Sequence, residues 1–324
     1  MRIALDVMGG DHAPKEIIKG AIAASKEFDL EIVLVGDRLA IEGVLSSLPK
    51  NYNISVVHAS QVIEMEETPV SAVKNKKDSS INIGLQLLKK KEVDAFVSAG
   101  NTGAVMSSSV FNLGRIKGIE RPAIAVVWPT LKHHVVFLDA GANAECKPKH
   151  LYQFAHLGSI FAEQVLHLSR PRVGLLSIGE EDEKGNNLVF ETRSLLKKSK
   201  LNFIGNVESK DIFKGDIDVF VCDGFVGNII LKFAEGLISL FQGLFKDEFK
   251  RSFLTKIGAL FMLPTLASLQ KRTNYDEYGG ALLLGVKGVC VIAHGRSKSN
   301  AIKNAIRVAK ESIEANIINK FSQI

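Results

Sequence analysis

Short apolar runs rich in β-branched residues alternate with longer stretches of helical period along most of the chain. The strand-like runs are Ile3–Met8, Glu31–Val35, Ile54–His58, Ala95–Ser98, Ala123–Trp128, Val135–Asp139, Val173–Ile178, Phe203–Val207, Val219–Cys222 and Val289–Ala293. Helical stretches lie between most of them: Pro14–Phe28, Ser80–Lys91, Thr102–Leu113, Lys149–Leu168, Asn186–Lys198 and Lys298–Phe321. This alternation predicts parallel βαβ units with helices on both faces of the sheet. The expected fold class is α/β: a three-layer α/β/α sandwich with a mostly parallel, Rossmann-like sheet. Val135–Asp139 follows its predecessor too closely for a helical crossover, so part of the sheet is expected to be antiparallel. No repeat and no low-complexity linker breaks the pattern. Residues 1–324 are therefore expected to form a single domain.

One region departs from this alternation. From about Asn228 to Leu284 the pattern is mainly helical, and Phe233, Leu237, Phe241, Phe245 and Phe249 recur every fourth residue as one apolar stripe. The segment IGALFMLPTLASL, Ile257 to Leu269, is apolar nearly all round. It is interrupted by Pro264 and bracketed by Lys250, Arg251, Lys256, Lys271 and Arg272. A basic-flanked apolar tip over 253–272, with Leu260, Phe261, Leu263 and Leu266 as contacts, suits shallow insertion at an anionic membrane surface. A helix pair buried at a subunit interface has the same pattern, so both readings stand. No uninterrupted apolar run reaches the roughly 18–20 residues that a bilayer span requires.

Composition narrows the partners. With 46% apolar residues in 324, the chain can bury a large core. Met1-Arg2 leads straight into Ile3–Leu5, and no signal-peptide pattern is expected there. Cys146, Cys222 and Cys290 are widely spaced and match neither a metal site nor a disulfide framework, which fits a cytoplasmic, reducing setting. A net charge of +6 suits an acidic macromolecule or a phosphate-rich surface. The basic residues are scattered, Trp occurs once and no recognised motif appears, so no nucleic acid partner is expected.

In a doubly wound sheet, ligands bind beyond the carboxyl ends of the strands. Here those ends read DVMGGDHAP (Asp6–Pro14), VGD (Val35–Asp37), SAGNTGA (Ser98–Ala104), DAGAN (Asp139–Asn143), IGEEDEKG (Ile178–Gly185), GNVES (Gly205–Ser209), CDGFVGN (Cys222–Asn228) and AHGRS (Ala293–Ser297). Eight such polar, glycine-rich ends on one predicted face suggest a large polar cleft. SAGNTGA is the best anion site. Gly100 and Gly103 permit close approach, and the helix starting near Thr102 directs free N–H groups and its dipole at a ligand, although capping by Asn101 or Thr102 is the plain alternative. CDGFVGN repeats that logic, with Asn228 near its helix start. Lys184, among the acids of GEEDEKG, follows a strong strand and is expected over the cleft as a point charge for phosphate. Asp6, Asp11 and His12 are candidates for base, orienter or hydrogen-bond network. His133 and His134 point to opposite faces of a strand and do not suit a joint metal site. The dinucleotide fingerprint, the P-loop, H-E-x-x-H and G-x-S-x-G are all absent.

The ordered set RIALDVMGGDHAP, PVSAVKNKKDSSI, SAGNTGA, ERPAIAVVWPT, LDAGANAECKPKHLYQFAHLG, VGLLSIGEEDEKGN, DVFVCDGFVGNIILKFAEG and YGGALLLGVKGVCVIAHGRS resembles the phosphate acyltransferases of bacterial phospholipid synthesis over nearly the whole chain. The resemblance implies transfer of a fatty acyl group from acyl carrier protein to inorganic phosphate. It implies an acyl phosphate product for a membrane glycerol-3-phosphate acyltransferase, and a fold similar to the isocitrate and isopropylmalate dehydrogenases and phosphate acetyltransferase. It also implies a homodimer, cytoplasmic but peripherally attached to the membrane, with no nicotinamide; no cofactor and no metal are expected. DAGAN stands where the family commonly has DVGAN.

Phosphate attack on a thioester needs an anion site, a donor for the developing oxyanion and exclusion of water, but no protein nucleophile. The expected catalytic residues are Asp11, His12, Lys184 and Asn228. Gly9, Gly10, Ser98, Gly100, Asn101, Thr102, Gly103, Asp139, Asn143, Glu180, Asp223, Gly224 and His294 are expected to line the substrate and phosphate site. Acetyl or acyl transfer between coenzyme A and phosphate, a non-catalytic membrane scaffold and a metal-dependent dehydrogenase of the same fold are the alternatives.

Overall fold

The computed structural model describes every residue except 50–51, 252–254, 256, 259, 263, 266–278 and 323–324. The strands are β1 (Arg2–Asp6), β2 (Glu31–Gly36), β3 (Ile54–His58), β4 (Ala95–Ser98), β5 (Ala123–Pro129), β6 (His134–Leu138), β7 (Arg172–Leu176), β8 (Asn202–Val207), β9 (Val219–Val221), β10 (Ala281–Leu284) and β11 (Val289–Ile292). The helices are α1 (Lys15–Phe28), α2 (Arg38–Leu45), α3 (Pro69–Asn75), α4 (Ser80–Lys89), α5 (Thr102–Asn112), α6 (Pro148–Gln164), α7 (Asn187–Leu196), α8 (Gly224–Lys250), α9 (Ser299–Glu314) and α10 (Ile317–Phe321). The strands form one sheet in the order β3-β2-β1-β4-β11-β10-β5-β6-β9-β7-β8. Helices cover both faces. One core gathers Ile3, Leu5, Ile17, Phe154, Phe161 and Ile302, and the other gathers Ala4, Phe96, Val105, Phe137 and Phe220. Successive residues of one strand, such as Ala4 and Leu5, feed opposite cores, as the two-residue period requires.

The α/β sandwich and the antiparallel β5–β6 pair agree with the sequence pattern. Three features do not. First, β10 pairs antiparallel with both β11 and β5, and β5 antiparallel with β6. Three reversals in series leave β1, β2, β3, β4 and β11 running opposite to β6, β7, β8 and β9. The strand ends expected on one face therefore form two groups at opposite edges of the sheet. Second, Ala281–Leu284 is a strand, not the end of a helical stretch; Gly279 and Gly280 just before it have φ of +79° and +108°, which no helix continues. A short apolar run without alternation does not distinguish the two states. Third, α8 is long and apolar enough to cross a bilayer by length and composition, although no uninterrupted apolar run was expected to be. Lys232 and Glu235 interrupt the run without lowering its average enough. The α2 and α3 helices escaped the pattern reading because they are only 8 and 7 residues long.

Candidate active site

The first group of loops is built around Asp6, the last residue of β1, which is fully buried. Its Oδ1 accepts from the Met8 N–H at 3.0 Å and its Oδ2 from the Ser98 hydroxyl at 2.7 Å. The same hydroxyl accepts from the Gly100 N–H at 3.0 Å. One carboxylate thus joins the ends of β1 and β4. Burial pushes its pKa up, and the hydrogen bonds from Ser80, Ser98, Met8 and Gly9 oppose that rise. Gly9 has no room for a side chain, because a Cβ would sit 2.6 Å from both Asp6 Oδ2 and Gly100 N. Gly10 takes φ +96° beside Ala99 and Gly295, and the Asp11 N–H donates to Gly295 O at 2.8 Å. The loops of Gly9–His12, Ala99–Gly103 and His294–Arg296 are therefore in contact.

Within this group several side chains are already fully engaged. Asn101 caps α5 by accepting from the Ala104 N–H at 3.0 Å, and donates to the carbonyls of Met65 at 2.9 Å and Glu67 at 3.1 Å. It shapes the loop; the N–H groups of Thr102 and Gly103, the first two residues of α5, have no protein acceptor among the described residues. Gly103 lies under Pro69 of α3, where a Cβ would meet the ring at 2.6 Å. Thr102 and Asp11 are exposed and His12 is half-buried.

The second group is built around Asp139, also fully buried, at the end of β6. Its carboxylate accepts five bonds: from the N–H groups of Ile124 at 3.1 Å, Gly141 at 3.2 Å, Ala142 at 2.9 Å and Asn143 at 2.8 Å, and from Asn143 Nδ2 at 2.8 Å. Burial raises its pKa and these donors work against the rise. Asn143 also donates to Pro122 O at 2.7 Å and accepts from the Gly224 N–H at 2.8 Å. Asp139 and Asn143 thereby lock β5, β6 and the start of α8 together. Asp223 caps α8 by accepting from the Val226 N–H at 3.0 Å. Asn228 stands exposed on the next turn, against Gly141 at φ +131°. Lys184 and Glu180 lie on the β7–α7 loop, whose fold is held by Asn206 Nδ2 bonds to Glu181 O at 3.0 Å and Lys184 O at 3.2 Å.

Lys184 therefore shares an edge with Asn228, not with the Ala99–Gly103 loop. Six strand steps separate β4 from β7, roughly 29 Å along the sheet, and the two strands run in opposite directions. What joins the groups is α8. Asn228, Lys232 and Glu235 fall on one side of it at i, i+4 and i+7. Lys232 Nζ reaches His294 Nε2 of the first group at 3.4 Å and pairs with Glu235 Oε2 at 2.9 Å. Lys232, Glu235 and Arg296 were not among the expected site residues. A trace was present in the sequence, since two charges four and seven residues beyond Asn228 interrupt the apolar stretch that runs to Phe245.

The cysteines are not positioned as nucleophiles. Burial pushes the thiols of Cys146 and Cys290 up to about 12, and that of Cys222 well above its ordinary value, so all three are protonated at neutral pH. His133 Nε2 faces Asp218 at 2.6 Å, away from both groups.

Relatives and fold neighbours agree with this architecture. Residues 1–320 match the model of a family described as fatty acid synthesis protein. The chain is 53% identical over 320 residues to the phosphate acyltransferase of Heliobacterium modesticaldum, covering 98% of this chain and 96% of that one. It is 50% identical over 317 residues to that of Synechocystis, covering 97% and 91% respectively. The chain belongs to the phosphate acyltransferase family. It is an enzyme, an acyltransferase. Among solved structures, a phosphotransacetylase from Streptococcus pyogenes superposes with a TM-score of 0.66 at 17% identity, over 97% of this chain and 94% of that one. A branched-chain phosphotransacylase from Enterococcus faecalis does so at 0.61 and 15%, over 97% and 99%. These two likenesses establish the shared fold.

Proposed function

We propose that this enzyme transfers a fatty acyl group from acyl carrier protein to inorganic phosphate. A phosphate oxygen attacks the thioester carbonyl, the new C–O bond forms as the C–S bond breaks, and the carrier thiolate leaves with the electron pair. The observation that carries this reading is the start of α5, where two N–H donors without a protein acceptor among the described residues and the positive end of the helix dipole lie beside the Gly9–His12 loop. Asn228, on the face of α8 that carries Lys232 to this group, orients the thioester and meets charge developing on its oxygen. Positioning and electrostatics supply the rate, and no protein nucleophile is consumed.

The same reading extends to the surroundings. The basic surface docks the acidic carrier protein. The product feeds a membrane glycerol-3-phosphate acyltransferase in phospholipid synthesis. The enzyme is a cytoplasmic homodimer, held peripherally at anionic membrane by the tip. Leu260 and Phe261 of that tip are exposed, while Leu263 and Leu266 lie outside the described residues. The test is phosphate-dependent release of carrier thiol from acyl carrier protein, with hydroxylamine trapping of the acyl phosphate. Thiol release indifferent to phosphate, or a donor preference for coenzyme A thioester, would overturn it.

A further inference from the structure

The most informative contact outside the assigned residues is the one between Lys232 and His294. Lys232 comes from the second half of the sheet by way of α8, and His294 from the end of β11 in the first. Their nitrogens stand 3.4 Å apart, a contact whose donor and acceptor depend on the tautomer of the ring. His294 Nδ1 accepts from the Arg296 backbone N–H at 3.1 Å, which places the proton of the neutral ring on Nε2. An ammonium and an imidazole N–H thus face the same space. Glu235 Oε2 shares that space, at 2.9 Å from Lys232 Nζ and 4.0 Å from His294 Nε2. Two nitrogens 3.4 Å apart, one of them already donating to a carboxylate oxygen, are spaced so that one oxyanion can bridge them. The neighbouring Gly295 lies against Ala99 and Gly10, which puts His294 beside the loop that leads to the α5 N-terminus.

We propose that Lys232 and His294 form the side-chain half of the acceptor-phosphate site, with Glu235 holding the same position until phosphate arrives. This rests on the phosphate-acceptor reading above and supplies the cation that the α5 backbone lacks. It also assigns Glu235 an effect opposite in sign to that of its ion-pair partner. A carboxylate competing with phosphate for the same donors weakens phosphate binding, so its neutralisation strengthens it.

The ring is kept neutral by burial first and by the Lys232 charge second; Arg296 adds to that effect, while Glu235 and Asp11 work against it. Removing the Lys232 charge therefore lets His294 protonate at higher pH, and the imidazolium, which still donates from Nε2, partly restores phosphate binding as the pH falls.

Steady-state kinetics and donor-free phosphate titration followed by phosphorus NMR test the assignment on the full-length enzyme. Lys232→Met is expected to raise the phosphate KM at least about tenfold, the value of one charge-assisted contact, with the acyl-donor KM unchanged. Lys232→Arg recovers most of the loss, and Glu235→Gln lowers the phosphate KM below that of the unaltered enzyme. A phosphate KM unmoved by Lys232→Met overturns the assignment. So does a rise on Glu235→Gln equal to that on Lys232→Met, which marks the ion pair as a structural brace. Should Lys232→Met fail to fold, the sign of the Glu235→Gln effect decides. An unaltered enzyme that makes no acyl phosphate overturns the acceptor reading itself, whereas acyl phosphate formation with variants indistinguishable from it removes only the roles of Lys232 and Glu235.

Discussion

Asp6 and Asp139 end two strands that run in opposite directions, and each is a fully buried carboxylate tying two loops together. The resemblance stops at how much each one closes. Asp139 takes five N–H donors, and α8 is pressed so tightly against it that a Cβ at Gly227 would fall 1.8 Å from Asp139 O. Asp6 shares a rotatable serine hydroxyl with Gly100, and the helix beside it begins with N–H groups that have no protein acceptor among the described residues. One polar strand end is a clamp that positions α8; the other is an open cradle. A buried acid at a strand tip does not by itself mark a ligand site. What decides is whether donors remain after the acid has been satisfied.

The sharpest way to break this comparison is at the clamp. Gly227→Ala forces α8 off the sheet and is expected to cost about 3 kcal/mol or more, at or beyond the upper end for overpacking. Gly236→Ala, on the same helix with nothing within 4 Å of the added methyl, is expected to gain up to about 1 kcal/mol. Chemical denaturation reads both, and equal midpoints would remove the clamp. Next come the acids. Asp139→Asn turns an amide N–H₂ against other N–H donors and is expected to lose about 2–3 kcal/mol, whereas at Asp6 the Ser80 and Ser98 hydroxyls can turn to accept while the Met8 and Gly9 N–H groups keep the remaining oxygen, and Asp6→Asn is expected to lose about 1 kcal/mol. A reversed order would make the first group the more rigid one.

Activity gives the following contrast. Asn228→Ala is expected to lower phosphate-dependent turnover at least about tenfold, as loss of one donor to a developing oxyanion implies, with a smaller effect for Lys184→Ala on the same edge. Equal losses would bring Lys184 to the thioester beside Asn228. The smallest effect on chemistry is expected at the tip, where Leu260→Glu or Phe261→Glu releases the protein from anionic vesicles and leaves soluble acyl transfer intact. Loss of activity together with dimerisation would instead make those residues part of a subunit interface.

Much of the fold was legible because period and length suffice for it. Ten strand-like runs fall on ten of the strands, and the major helices lie where apolar residues recur at helical spacing. β10 was not legible, since ALLL between glycines carries no period. That short strand has large consequences, because its reversal divides the glycine-rich ends into two groups. Asn101 was expected either to line the site or to cap α5; it caps α5, and its tether to carbonyls 34 to 36 positions away in the chain was not legible. Lys232 was passed over because a charge on an apolar helix has no direction until the helix is placed.

By itself, the sequence determined the alternation of strands and helices, the two buried cores, the glycine-rich strand ends and, through its ordered motifs, the family. These follow from local period, side-chain size and backbone freedom, which neighbouring residues share. Only the tertiary structure decided which strand ends meet, which buried acid is saturated and which helix brings a lysine from one half of the sheet to a histidine in the other. Those depend on strand direction and on hydrogen-bond partners far apart in the chain, where no local preference reaches.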